Sequence, residues 1–471
     1  MSSRLTVEWA PYADKYLGVS NLPSRVSLSK EVGSGGEAVV RSVRELPNAL
    51  VKLYHTNDPR ELQFRERKIK AMIKAKPQEP TPDHVTFAWP LGMVYDGRRR
   101  FRGFVMPYIK CAIPISSIMV PNDYSWVDKF RECGVPDDRL NRIMSNISLF
   151  KVGVALNLVK AVGYLHAVGH YVGDLNDMNI LINSYGLVTL IDTDSFFIRD
   201  PDTGQIYPSE VGVGDYTAPE VLRGLIPPDK RNENTDIFSL SVIIFKLLMN
   251  GYHPFAGTVP SRESNTIEDN IRSCLSPYFG PGKNIVIKPR GAPDISSLPP
   301  ELVNLFERTF NCSNLNRPSI VEFLKALEKY YYIVKSNPPP PTPPTPPAPR
   351  QKPSKREPQR RKPRRKRTQP SPFPPPPQPP LPPPPPLPPL QQRRSLPKYY
   401  MISIPLLLVA LSLLYLKVLS YSGVMGPWSK VFSFFSSIIA FIIAAKFVNS
   451  NEDILWIMPT IGETILIFIN I

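Results

Sequence analysis

The feature that most restricts this chain is a block of proline. Residues 338–397 hold 28 of its 57 prolines, among them the run Pro382 to Pro386. Proline lacks the N–H that helices and sheet ladders require. The block is therefore expected to be a disordered, extended polyproline-II-like spacer, excluded from any packed core. Of 471 residues, that leaves the ~300 before Asn337 for one folded domain.

The same block carries most of the charge. Residues 338–398 hold 14 Lys/Arg against the single acid Glu357, which is +13 of the formal +17 and leaves only +4 for the rest. Arg360 to Arg367 has the composition of a nucleic-acid contact or import signal. The reading preferred is a polybasic linker next to a membrane, drawn to anionic lipid at ~1 kcal/mol per charge; nucleic acid is set aside. The apolar sequence beyond the linker is the reason. Segments 399–421 and 431–449 are apolar and long enough to span a bilayer. Segment 454–471 is a third candidate, with Glu463 at its middle. Positive charge ahead of the first span places the linker and the preceding domain in the cytoplasm. The expected localisation is thus the cell membrane, multi-pass.

Within the folded part, the chemistry is concentrated in Gly173-Asp174-Leu175-Asn176-Asp177-Met178-Asn179-Ile180-Leu181, with Asp192 coming after a short apolar strand, Leu187 to Ile191. An acid, an Asn five residues on and a second acid are the groups that phosphoryl transfer from ATP requires. One carboxylate orients the acceptor hydroxyl, while the amide and the other carboxylate hold Mg²⁺. The spacing resembles the catalytic loop and metal-binding turn of the protein kinases. Upstream, Glu31 to Val40 has the look of a glycine-rich loop between two strands, whose Gly33, Ser34, Gly35, Gly36 and Val40 would cover the nucleotide. Lys52, alone in the apolar run Ala49 to Tyr54, resembles the kinase lysine that contacts the α- and β-phosphates. A charge there is costly unless paired.

Residues 60–75 read as a helix with Leu62, Ile69 and Ile73 on one face. Glu66 shares that face and is expected to pair with Lys52, with Glu61 as the fallback. Arg102 to Ile109 resembles the strand entering the adenine hinge, with Met106 behind the base, the carbonyl of Pro107 as acceptor and the N–H of Ile109 as donor. Further on, Ala218-Pro219-Glu220, Asp236 to Ser241, His253-Pro254-Phe255 and Asn316-Arg317-Pro318-Ser319 resemble the kinase A-P-E, D-x-W-S, H-P-F and late R-P-S motifs. The resemblance implies a buried pair between Glu220 and Arg317. His166 and His170, four apart, then become structural residues rather than metal ligands.

The resemblance covers 25–335, after an extension at 1–24. It implies an α+β, bilobal kinase fold with a small β-rich N-lobe and a larger helical C-lobe, of an atypical bacterial, eukaryotic-like branch. It departs from the family pattern in places. Val172 and Gly173 stand where the His and Arg before the catalytic Asp are usual, Asn176 where a lysine is usual, and Thr193-Asp194 where Phe-Gly is usual. The expected function is a membrane-anchored kinase using ATP and Mg²⁺ on Ser/Thr of a protein substrate, itself included. Asp174 would be the base, Asn179 and Asp192 the metal ligands and Lys52 the phosphate clamp. The alternative is an ATP-holding pseudokinase or scaffold. Met1 to Pro23 has no apolar h-region. The four scattered cysteines could formally make two bridges, but an ATP-dependent domain argues for a reducing compartment.

Overall fold

The computed structural model describes residues 4–209, 212–262, 265–312 and 317–337. The proline-rich linker, the three apolar segments and Asn316 lie outside the described residues.

A seven-stranded antiparallel sheet forms the N-lobe: β1 (Leu5–Trp9), β2 (Arg25–Val26), β3 (Leu28–Ser34), β4 (Ala38–Val43), β5 (Ala49–Tyr54), β6 (Gly92–Tyr95) and β7 (Phe101–Pro107), in the order β2-β1-β6-β7-β5-β4-β3. The domain boundary expected at residue 25 is corrected by β1, which pairs with both β6 and β2. Together with α1 (Ala13–Leu17), it packs Leu5, Val7, Ala13 and Leu17 against Val51, Val94 and Val105. Alternating apolar residues in Leu5-Thr6-Val7 bury one face of the strand, so the extension belongs to the lobe.

The expected helix is α2 (Pro59–Lys74). Asp58 caps it, its carboxylate accepting from the Arg60 N–H at 2.9 Å, and proline occupies the first turn. Leu62, Ile69 and Met72 face the sheet.

The C-lobe begins after β8 (Ile113–Pro114), with α3 (Ser125–Glu132), α4 (Asp137–Ser145) and α5 (Ile147–Ala167). α5 is long and apolar enough to cross a membrane, but Val152, Val159 and Val162 lie in the main core, and α10 (Ile320–Ser336) packs along it. Strands β9 (Ile180–Ile182) and β10 (Val188–Leu190) form a hairpin within the Asp174–Asp192 segment, and β11 (Ile198–Arg199) pairs with β12 (Ile206–Tyr207). The buried scaffold is α7 (Glu233–Leu248), started by a capping box between Asn232 and Thr235. The short α6 (Pro219–Leu222) and α8 (Ile267–Arg272), then α9 (Pro300–Phe310), surround it.

Glu220 and Arg317 form the expected buried pair, bidentate at 2.6 and 2.9 Å. The cysteines depart from expectation. Cys274 and Cys312 are joined in a disulfide because the turns after α8 and α9 bring their Cα atoms to 5.8 Å. Cys111 and Cys133 are free and exposed. Nothing in the sequence spacing signals which two meet.

Candidate active site

β3 and β4 form a hairpin in which Gly33 faces Val40 and Ser34 faces Val39. Its tip is exposed, and a side chain at Gly33, Gly35 or Gly36 would meet only open space. What the glycines provide is bare backbone over the cavity beneath. That cavity, about 650 Å³, runs from the hairpin past Val40 and Lys52 to Asp192 and Asp194, with Arg65 and Lys68 on its α2 side.

Lys52 is fixed by its neighbours on both strands. β5 pairs with β4 and β7, and Gly103 of β7 comes so close that a Cβ there would lie 1.9 Å from the Lys52 carbonyl oxygen. The Lys52 ammonium donates to Asp192 Oδ1 and to Asp194 Oδ1, each at 2.6 Å. Asp194 Oδ2 accepts from the buried Tyr54 hydroxyl at 2.9 Å. Burial alone would lower the Lys52 pKa; the Asp194 and Asp192 carboxylates outweigh it and raise the group above its ordinary value, so it stays a cation.

The Glu66 expectation is therefore corrected. Glu66 Oε1 accepts from the Tyr95 hydroxyl at 2.9 Å and is not a wall of the cavity. The helix phase was right, but the face shared by Leu62, Glu66 and Ile69 is the one pressed on the sheet. The neighbouring stripe of Glu61, Phe64, Arg65 and Lys68 turns to the cavity. Glu61, the fallback partner, pairs instead with Arg65 at 2.9 Å.

The loop that carries Asp174 is hung from α7. Asp236 accepts the N–H groups of Val172 at 2.6 Å and Gly173 at 2.9 Å, and its Oδ2 lies 2.9 Å from His166 Nε2. Gly173 has φ +72°, and a Cβ on it would sit 2.4 Å from Ser209. Only glycine meets both conditions. Its carbonyl accepts from buried Arg231 at 2.9 Å. Asp174 Oδ1 accepts from the Val213 N–H and the Asn176 amide, both at 3.1 Å. The Asn179 amide donates to the Asp174 carbonyl at 3.4 Å, and its own carbonyl takes the Ile191 N–H at 3.0 Å, which ties it to the strand leading to Asp192. Asp192 itself is left-handed, φ +58°. Burial raises its carboxyl pKa; Lys52 opposes this, and Asp194 and Asp174 add to it.

Thus Lys52, Asp174, Asn179 and Asp192 are brought into one neighbourhood. Met106, Pro107 and Ile109 sit at the end of β7, outside the cavity walls, with Leu50 opposite Met106 in the sheet. Asp194, Tyr54 and Lys68 are the site residues that sequence reasoning left without a role. The available signal is an Asp two positions after Asp192, at a place where the family pattern has glycine.

Residues 132–328 match the protein kinase domain family. Over 311 residues the chain is 30% identical to protein kinase YegI of Escherichia coli K12, covering 64% of this chain and 44% of that one. A protein kinase and PP2C-like domain-containing protein of Oryza sativa subsp. japonica is 26% identical over 200 residues, 38% of this chain and 29% of that one. Among solved structures, a rhoptry kinase from Toxoplasma gondii aligns at 14% identity and TM-score 0.44, covering 71% of this chain and 85% of that one. The chain spans less than half the length of YegI.

Proposed function

Since this chain belongs to the bacterial, eukaryotic-like protein kinases, we propose that it transfers the γ-phosphoryl of ATP to Ser or Thr hydroxyls of a protein substrate, itself included, while anchored in the cell membrane. Support comes from one arrangement: Lys52 in contact with Asp192 at 2.6 Å beneath the glycine-rich hairpin, with Asp174 near enough to act electrostatically on Asp192. Lys52, Arg65 and Lys68 line the cavity together with Asp192 and Asp194, so it offers cations for a polyphosphate beside carboxylates for a metal ion. Asp192 and Asn179 offer the hard oxygen ligands that suit Mg²⁺, which completes its shell with phosphate and water. When bound, that ion neutralises phosphate charge. Asp174 Oδ2 has no hydrogen bond among the described residues, and it would take the proton of the acceptor hydroxyl.

The test is transfer of labelled phosphate by the purified full chain to itself and to a mixed protein substrate, beside Asp174→Ala. Label that reaches the variant's products at the wild-type rate would refute the assignment. An ATP-holding module without turnover is the second reading. Asn176 favours it, because its amide occupies Asp174 Oδ1, where kinases carry a lysine aimed at the phosphate. Nucleotide binding without label in any product would select it.

The anchor is proposed from the apolar segments 399–421 and 431–449. Their association should survive carbonate and high salt, which screen the basic linker's attraction beyond ~8 Å but do not release a span. Extraction by salt alone would sink the anchor.

A further inference from the structure

We propose that Asp194, carried on the metal-binding turn, is the positioning residue that anchors Lys52, in place of a glutamate on α2. The proposal rests on Lys52 acting on the phosphates of ATP. In protein kinases that lysine is held by a glutamate of the helix after its strand, and the swing of that helix makes or breaks the pair. In this chain the helix presents no carboxylate to Lys52. Glu66 is engaged by Tyr95, Glu61 by Arg65, and the buried charge that α2 turns toward the site is a cation, Lys68.

The signs have been exchanged. Asp194 has a side chain only 4% exposed and lies between Lys52 at 2.6 Å and the Tyr54 hydroxyl at 2.9 Å, in the positive field of Lys68. Its own segment holds it there. The Thr193 hydroxyl donates to the Ala88 carbonyl at 3.0 Å, the Ser195 N–H to the Asp192 carbonyl at 3.0 Å, and Phe196 is buried behind. A buried carboxylate with two donors aimed at it is a rigid hold. A hydroxyl at 193 and an acid at 194, where Phe and Gly are usual, are thereby both accounted for.

The arrangement bears on regulation. Lysine and metal-binding turn are locked to each other directly, so displacing α2 does not release Lys52. The on–off device that depends on that helix has no purchase on this site.

The experiment compares Asp194→Asn with Glu66→Gln in the full chain. Steady-state transfer should fall by about 10²-fold in kcat for Asp194→Asn, the cost of a misplaced clamp, while Glu66→Gln stays within about threefold. Asp194→Glu should recover part of the loss, and Tyr54→Phe should weaken transfer in the same direction by less. A second readout needs neither nucleotide nor turnover: the rate at which an amine-reactive ester labels Lys52, read by mass spectrometry on the folded protein. Labelling should rise several-fold in Asp194→Asn and stay at the wild-type rate in Glu66→Gln. If Glu66→Gln frees Lys52 and Asp194→Asn does not, the proposal is overturned, whether or not the chain proves to be a kinase. A wild type that transfers nothing, yet shows the expected labelling contrast, would refute the kinase reading and leave the anchor standing.

Discussion

The Lys52 cluster and the Glu220–Arg317 pair each bury a cation against carboxylate, and they differ in what surrounds them. Arg317 and Glu220 are 2% and 5% exposed, matched one to one and bidentate, and the guanidinium also donates to the Asn234 carbonyl and stacks over Phe238. Both side chains are sealed from solvent. Lys52 meets two carboxylates instead of one, and Asp192 is 41% exposed toward the cavity. An excess of acid beside an opening is a site waiting for a further cation, whereas a closed pair is scaffold. The same residue chemistry is open to a cavity in one case and closed off from solvent in the other.

The sharpest way to break that contrast is Lys52→Met. Transfer should fall by about 10³-fold, with a smaller loss of stability than an Arg317 variant, because Tyr54 still donates to Asp194 and Asp192 opens to solvent. A melting loss as large as that of an Arg317 variant would mean the cluster is scaffold too. Next in size, Glu220→Gln should cost roughly 3–5 kcal/mol in denaturant unfolding, because it leaves Arg317 charged and buried. Selective reduction of the Cys274–Cys312 bridge, which closes a separation of 38 residues, should cost about 2–4 kcal/mol, again without changing the rate of transfer by the folded protein.

A smaller effect separates the lobes by pH. Burial, opposed by the Asp215 carbonyl and aided by Lys246, pushes the His253 pKa down to about 3. The folded state refuses a proton that the unfolded state takes below ~6.5, so stability falls as pH drops through that window. The loss is about 1.4 kcal/mol at pH 5.5, and His253→Asn should flatten the slope. The smallest expected change is none: phosphatase treatment should alter transfer by less than about twofold. Gly173 supplies no arginine to the segment before Thr217, and Arg231 beside it is buried and already engaged. A dephosphorylated protein that is inactive until its loop is phosphorylated would contradict this.

The C-lobe scaffold and the four central residues could be read from sequence because each sits in a motif of fixed spacing. Glu220 pairs with Arg317, the partner that the motif resemblance implies. What escaped were contacts set by three-dimensional phase. Glu66 was placed on the correct helix face, but periodicity alone does not say whether that face meets the sheet or the cavity. Asp194 lies two positions after Asp192, the expected metal ligand, and its pairing with Lys52 spans 142 positions. The bridge between Cys274 and Cys312 depends on how two helix ends converge. Residues 5–9 were assigned to an extension because a strand of five residues has little pattern of its own until its partner is known.

That strand also orders the molecule in time. Thr6 pairs with Tyr95 and Trp9 with Gly92, partners 83 to 89 positions later in the chain. At ribosomal rates of ~5–20 residues per second, roughly ten seconds separate the two halves of this pairing. β2 and α1 can cover part of Leu5 and Val7 early, but Val94 and Val105 of their core arrive only with β6 and β7. The β3–β4 hairpin closes a short loop and can form at once, whereas the β1–β6 pairing must first meet the entropy of a long one. The glycine-rich hairpin is therefore assembled on an unfinished sheet, and the strand made first is kept waiting for its second partner.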